Sequence, residues 1–253
     1  VALVFLHLVA LHQVGSNNPD GIDIYDHVDE EGKPLDGIAF FPYIVVKDLI
    51  GVAGILIVYL GVVFFWPDFG GVFLEKDNFA PANPLQTPPD IVPLWYFTPF
   101  YSILRASTTT LLLAMQVITL LTLIWVWLLS KTQLKTKLAL TVGAIAILIG
   151  LEFGSGKAWG VILMASAIVC FFLLPWLDRS PVYSIRYRSL PFKIALALFL
   201  AAFFILGYLG MNAPTPGKTL LAQVCTCIYF AFFILMPWFT SIGKAKPEPT
   251  RVV

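Results

Sequence analysis

Charge, cysteine and histidine are all scarce in this chain. Asp, Glu, Lys and Arg make up 12% of its 253 residues, hydrophobic residues 58%, and the mean hydropathy is +0.85. So few charges cannot solvate the outside of a soluble domain, and the chain reads as a polytopic membrane protein. Its net charge is +1 and no basic run is interleaved with aromatics, which argues against nucleic acid as a partner. The three cysteines, Cys170, Cys225 and Cys227, lie in apolar stretches. Cys225 and Cys227 stand roughly 200° apart on a helix, a poor geometry for a disulfide or a shared metal, so all three read as buried thiols. The opening apolar run lacks a Met, a basic stretch and a small-residue cleavage site. It reads as the tail of a longer helix rather than a signal peptide, and residues before Val1 are expected.

What is abundant is apolar sequence in blocks. A spanning helix needs about 20 such residues, and six stretches approach or reach that length: 45–66, 108–129, 138–153, 159–177, 192–209 and 220–239. The third is short and flanked by glycine. Pro67, Pro181, Pro214 and Pro216 punctuate the rest. The expected fold is all-α: a transmembrane bundle of about six full spans plus the end of a further N-terminal helix. Four segments follow, 1–44, 45–106, 107–156 and 157–253. If the loop after His12 is cytoplasmic and the helices alternate, twelve of the 16 Lys and Arg fall on that side. Lys76, Arg105, Lys157 and Lys218 fall on the other. This bias supports the helix count and a cytoplasmic C-terminus.

Three elements carry candidate chemistry. His7 sits about two turns before Gly15 in a run with no other polar side chain, and an ionisable ring in such sequence marks a site by default. A neutral imidazole there suits an axial ligand of heme iron; the plainer reading is a histidine hydrogen-bonded to a neighbouring helix. His12 lies five residues on, roughly 140° around the helix, so the two rings cannot share one ion. His12, Ser16, Asn17, Lys47 and Asp48 fall at one expected membrane face and offer the donors and the carboxylate that quinone carbonyls need for hydrogen bonding and proton uptake. Helix capping and a Lys47–Asp48 pair are the plainer alternative, and for Asn18 and Asp20 it is the better one. The third element, PLWYFTPFYSILR, follows a proline-rich stretch from Pro67 onward. A short amphipathic helix after fixed backbone suits the roof of an apolar pocket for a flat ligand, or an interfacial aromatic belt.

These elements, in this order, resemble the cytochrome b family, the membrane subunit of quinol:cytochrome c oxidoreductases of the cytochrome bc type. HLVALHQVGSNNPDG, VVKDLIG, FAPANPLQTPPDIVPLWYFTPFYSILRA and LPWLDRSPVYSIRYR each look like family blocks, the last similar to proteobacterial versions. The resemblance covers all but about 107–156 and corresponds to the C-terminal half to two-thirds of the family protein, starting within its fourth helix. It implies that His7 is an axial ligand of the high-potential heme b. His12, Ser16, Asn17, Lys47 and Asp48 would line the quinone-reduction site, and Pro93, Leu94, Trp95, Tyr96 and Tyr101 the quinol-oxidation site. It further implies a bacterial inner membrane, a dimeric complex with a Rieske-type iron–sulfur protein and a c-type cytochrome, quinone as substrate, and contact with membrane lipid. Quinol oxidised on the outer side would send one electron to the iron–sulfur protein and the other through two b hemes to the inner site.

Three departures qualify this. Many family members carry glutamate where Leu94 stands; leucine cannot accept a quinol proton, and Asp90 is a nearby carboxylate. Residues 107–156 read as an inserted helical hairpin with a basic tip at Lys131, Lys135 and Lys137, suited to lipid or subunit contact. A b heme also needs a second histidine, but His27 lies in an acidic loop, so the partner ligand and the lower-potential site are expected outside this chain, which reads as a fragment. The competing classes are a transporter using Asp48 and Glu152, against which the lack of internal repeats argues, and a cofactor-free structural subunit.

Overall fold

The computed structural model describes residues 1–15, 18–74, 79–86, 91–128 and 133–251. Among these, all regular structure is helical, with one isolated bridge between Val28 and Pro34. The principal elements are α1 (Ala2–Val14), α2 (Val45–Phe65), α3 (Thr98–Ala106), α4 (Thr109–Leu128), α5 (Leu134–Phe153), α6 (Gly156–Val169), α7 (Leu174–Leu177), α8 (Leu190–Gly210), α9 (Pro216–Ile234) and α10 (Met236–Phe239). Among the described residues six helical stretches are long and apolar enough to cross a membrane: Phe40–Phe65, Thr109–Leu128, Leu134–Phe153, Gly156–Leu177, Leu190–Gly210 and Pro216–Ile234. The boundaries shift from those expected from hydropathy, most at the first, third and last spans, the first because the turn Phe40–Ile44 precedes α2. The third span begins at Leu134, so Lys135 and Lys137 lie inside its first turn and complete a 20-residue helix. The last begins at Pro216, because the Thr215 hydroxyl accepts from Lys218 N and proline suits the first helical position; its α-helix ends at Ile234.

The chain divides into two compact units. One comprises Glu75–Leu177 and Ala195–Met236. Lipid is as apolar as leucine, so helices in it associate through close packing of small residues and through polar contacts rather than through the hydrophobic effect. Both devices are present around α3. A Cβ at Gly160 on α6 would stand 2.7 Å from the Leu104 carbonyl oxygen, and one at Gly210 on α8 would stand 2.9 Å from Thr98 Cβ and closer still to the Thr98 carbonyl. The helices therefore meet backbone to backbone. On the other side Gln223 of α9 donates to the Ala106 carbonyl (3.2 Å) and to Thr108 Oγ1 (2.7 Å). Phe199 anchors the rest, with ring centroids 4.6 Å from Phe232 and 5.0 Å from Tyr229, whose hydroxyl donates to the Ala167 carbonyl (2.8 Å).

The other unit comprises Val1–Leu74, Asp178–Ile194 and Pro237–Val253. Here the order comes from polar loops. Asn18 Oδ1 accepts from the Asp20 and Ile22 amides and Nδ2 donates to the Ile22 carbonyl, which folds the turn after α1. Asp20, 4% exposed, accepts from Arg186 Nη1 (3.1 Å) and from the Tyr187 hydroxyl (2.8 Å). A buried carboxylate is tolerated when it is paired in this way. Ser184 Oγ donates to the Pro19 carbonyl, Glu248 Oε1 accepts from the Tyr183 and Ser184 amides, and Arg188 pairs with Asp178 (2.7 Å) while lying over the Phe192 ring. Asn18 and Asp20 thus have structural roles. By contrast, α1 and α2 bury no residue.

The Asp20 network has a testable pH signature. Its hydrogen bond to the carboxylate, followed by burial, holds the Tyr187 phenol above its ordinary value near 10. A raised folded-state value stabilises the protein fully below about pH 10 and loses that contribution as pH climbs through the raised value. The stability difference between the unmodified protein and Tyr187→Phe, followed by denaturation between about pH 8 and pH 11, is expected to be constant at first and then to shrink. A gap that widens with alkalinity contradicts the pairing.

Candidate functional site

The expected site residues fall on both units. In the first, Leu94 is extended, Trp95–Phe97 form a single 3₁₀ turn, and α3 follows at once. The turn closes through Phe97 N donating to the Leu94 carbonyl (2.8 Å), and Thr98 Oγ1 donates back to the Trp95 carbonyl (2.7 Å). Pro99 sits in the first turn of α3, where its missing N–H costs nothing. Thr98, Pro99, Ser102, Ile103 and Ala106 are buried, so α3 is amphipathic and seated by one face. The turn it carries points outward: Leu94, Trp95 and Tyr96 are 54%, 51% and 58% exposed, and the Trp95 and Tyr96 rings meet edge to face at 5.8 Å. Two adjacent exposed rings on a rigid base form a wall for a flat ligand. Tyr101 is half-buried on α3 with the Arg105 guanidinium 5.2 Å from its ring centroid, and Arg105 in turn donates to the carbonyls of Gly210 (3.4 Å) and Asn212 (2.9 Å). The structure therefore places Pro93, Leu94, Trp95, Tyr96 and Tyr101 on one continuous supported segment. Asp90, the suggested substitute for a glutamate at Leu94, lies outside the described residues.

In the second unit His7 and His12 project from α1, and Lys47 and Asp48 lie in the first turn of α2, where the acid suits the helix N-terminus. Among the described residues no ion pair joins Lys47 and Asp48. Ser16 and Asn17 lie outside the described residues. His7 fits a heme in one respect: its ring has no described protein partner and its helix buries nothing, which leaves an imidazole nitrogen and an apolar flank. The chain's other histidines are His12 and His27. His27 Nδ1 stands 3.2 Å from Asp36 Oδ2 in the polar loop, without hydrogen-bond alignment, while the other Asp36 oxygen accepts from Arg251 Nε (3.1 Å). No cluster of three or more His, Cys, Asp or Glu arranged for a metal occurs among the described residues.

Sequence reasoning missed the residues that hold α3: Gln223, Gly160, Gly210 and the seat of Arg105. A lone amide in an apolar span is a signal, because in lipid it must find a partner; the glycines carry no signal until their neighbours are known.

The family model described as cytochrome b(C-terminal)/b6/petD matches residues 81–154 and 144–230, together more than half of the chain. Cytochrome b of Allochromatium vinosum is 43% identical over 254 residues, 99% of this chain and 51% of that protein. Cytochrome b of Rickettsia bellii is 36% identical over 100% of this chain and 49% of that protein. A solved chain described as hyperthermophilic respiratory Complex III is 29% identical with a TM-score of 0.66, covering 94% of this chain and 47% of that one. The chain spans about half the length of the curated relatives it matches. With these matches along nearly its whole length and six helices suited to a bilayer, the chain is a multi-pass membrane protein and belongs to the cytochrome b(C-terminal)/b6/petD family.

Proposed function

We propose that this chain supplies the two quinone-binding faces and one heme ligand of the cytochrome b subunit of a bacterial quinol:cytochrome c oxidoreductase. The subunit lies in the inner membrane with its C-terminus cytoplasmic, in a dimeric complex with a Rieske-type iron–sulfur protein and a c-type cytochrome. The observation that carries the reading is the outward-facing Trp95–Tyr96 pair on a 3₁₀ turn clamped to the buried face of α3. Rigid aromatic walls orient a flat ring at little entropic cost, which is what a quinol needs before it gives up two electrons and two protons. Leu94 accepts no proton, so the quinol protons leave to water or to another group, and the hydroxyls of Tyr96 and Tyr101 are among the polar groups of this segment. In the other unit His12 and Lys47 donate to quinone carbonyls and Asp48 relays the protons that reduction consumes; Ser16 and Asn17 complete the donor set. His7 would hold heme b through an imidazole nitrogen, and no second histidine of this chain is placed to join it. When bound, that heme supplies one-electron transfer between the two faces. Family membership weighs against a transporter or a cofactor-free scaffold.

Quinol-driven kinetics of the b band in the intact complex separate the two faces. Trp95→Ala is expected to slow reduction of the band about tenfold to a hundredfold through lost positioning. Asp48→Ala is expected to leave that phase intact and to slow reoxidation by about a hundredfold, the lower end of a general acid–base contribution. Unchanged reoxidation in Asp48→Ala removes that carboxylate from the proton path. Unchanged reduction in Trp95→Ala removes the aromatic turn from the quinol site.

A further inference from the structure

We propose that the α4/α5 hairpin is a binding site for one anionic phospholipid, with an acyl chain in the cleft between the helices and the phosphate at Lys135 and Lys137. This goes beyond the quinone chemistry and uses none of its residues. The cleft has a volume of about 310 Å³, within the range of roughly 300–1,000 Å³ typical of ligand clefts, and is lined by residues that include Thr119, Thr122, Val126, Ala139, Gly143 and Ile147. Its wall is apolar in practice. Thr119 and Thr122 donate their hydroxyls to the Met115 and Ile118 carbonyls of their own helix (both 2.8 Å), so neither is free to orient a polar ligand.

Charge decides the class of occupant. No Asp or Glu occurs from 107 to 151, whereas Lys135 and Lys137 sit in the first turn of α5 beside the end of α4. Lys137 donates to the Trp127 carbonyl (3.4 Å) with its ammonium 5.9 Å from the indole centroid, and Lys135 is exposed with no ion-pair partner among the described residues. Trp127 donates Nε1 to Thr141 Oγ1 (2.9 Å), which ties the two helices where the cleft meets the lysines. The opposite end is acidic: Gln116 Nε2 donates to Glu152 (3.3 Å). The hairpin therefore has one cationic end next to an apolar slot, and a lipid phosphate fits that end alone. Basic side chains near a membrane surface favour anionic over zwitterionic lipid by about fivefold each.

Trp127 is the reporter. The intact complex is placed in nanodiscs containing brominated-chain phosphatidylglycerol or brominated-chain phosphatidylcholine, and the Trp127 component is isolated by subtracting Trp127→Phe. The phosphatidylglycerol is expected to quench it several-fold more strongly at equal mole fraction. The preference falls in each of Lys135→Gln and Lys137→Gln, is lost in the double glutamine variant and survives in the double arginine variant. Gly143→Leu, which fills the slot and leaves the lysines, is expected to reduce quenching by both lipids. If Trp127→Phe does not assemble, phosphatidylglycerol co-purifying with the complex is weighed by mass spectrometry and is expected to drop in the double glutamine variant. Equal quenching by the two lipids overturns the proposal. So does quenching by neither, which would place a protein surface over the cleft.

Discussion

Replacement of His7 by leucine is expected to remove the high-potential component of the b-type absorbance while the chain still inserts in the membrane. The expectation follows from two properties of α1. Its 13 residues are apolar apart from His7, His12 and Gln13, and none of them is buried, so leucine at position 7 costs the helix nothing and improves its partition into lipid. Any loss of the band then reports lost ligation rather than lost folding. Without the His7 imidazole, a heme b held there would be released or would change its spectrum and potential, since ligand identity is the main lever on both. The control is His12→Gln. His12 lies one and a half turns away at the polar end of the helix, beside Gly15, and its substitution is expected to keep the band and affect quinone reduction alone. A reduced-minus-oxidised spectrum with full heme content in His7→Leu overturns the assignment.

The second large effect is expected at a residue with no chemistry. Gly210→Ala adds one methyl, which in a helix normally gains about 0.5–1 kcal/mol. Here the methyl meets the Thr98 backbone, and backbone at a helix start cannot swing aside as a side-chain tip does. Overpacking of this kind costs about 1–3 kcal/mol, with the upper end expected because both partners are main chain. The cost falls on the seat of α3, which positions Trp95, Tyr96 and Tyr101. Thermal denaturation of the purified protein is expected to shift downward and quinol oxidation to fall with it, while Gly217→Ala, on α9 with nothing within 4 Å, leaves quinol oxidation unchanged and does not lower stability. If Gly210→Ala matches that control, the close approach of α3 and α8 is not what holds the turn.

The spans were legible because the rule behind them is local. A backbone in lipid must satisfy its own hydrogen bonds, so long apolar runs between breakers become helices whatever surrounds them. Their ends were less so. The start of the third span depended on Leu134, Lys135 and Lys137 joining a helix despite two charges, which long lysine stems allow at a membrane surface. The short helix after Pro99 was readable from its proline and its apolar spacing. That this helix is buried by Gly160, Gly210 and Gln223 was not, since two of the three are glycines whose meaning lies in the neighbour they admit.

The sequence by itself determined an all-helical membrane chain with six spans, and it singled out the histidines and the aromatic segment, because hydropathy and the cost of an ionisable ring in lipid depend on composition and spacing alone. Tertiary structure decided the roles of the polar residues that pair at long range. Asp20 is joined to Arg186 and Tyr187 across more than 160 positions of sequence, and Arg105 to Gly210 and Asn212 across more than 100. A hydrogen bond is a short-range, directional contact, so which donor meets which acceptor is settled only once the chain has folded.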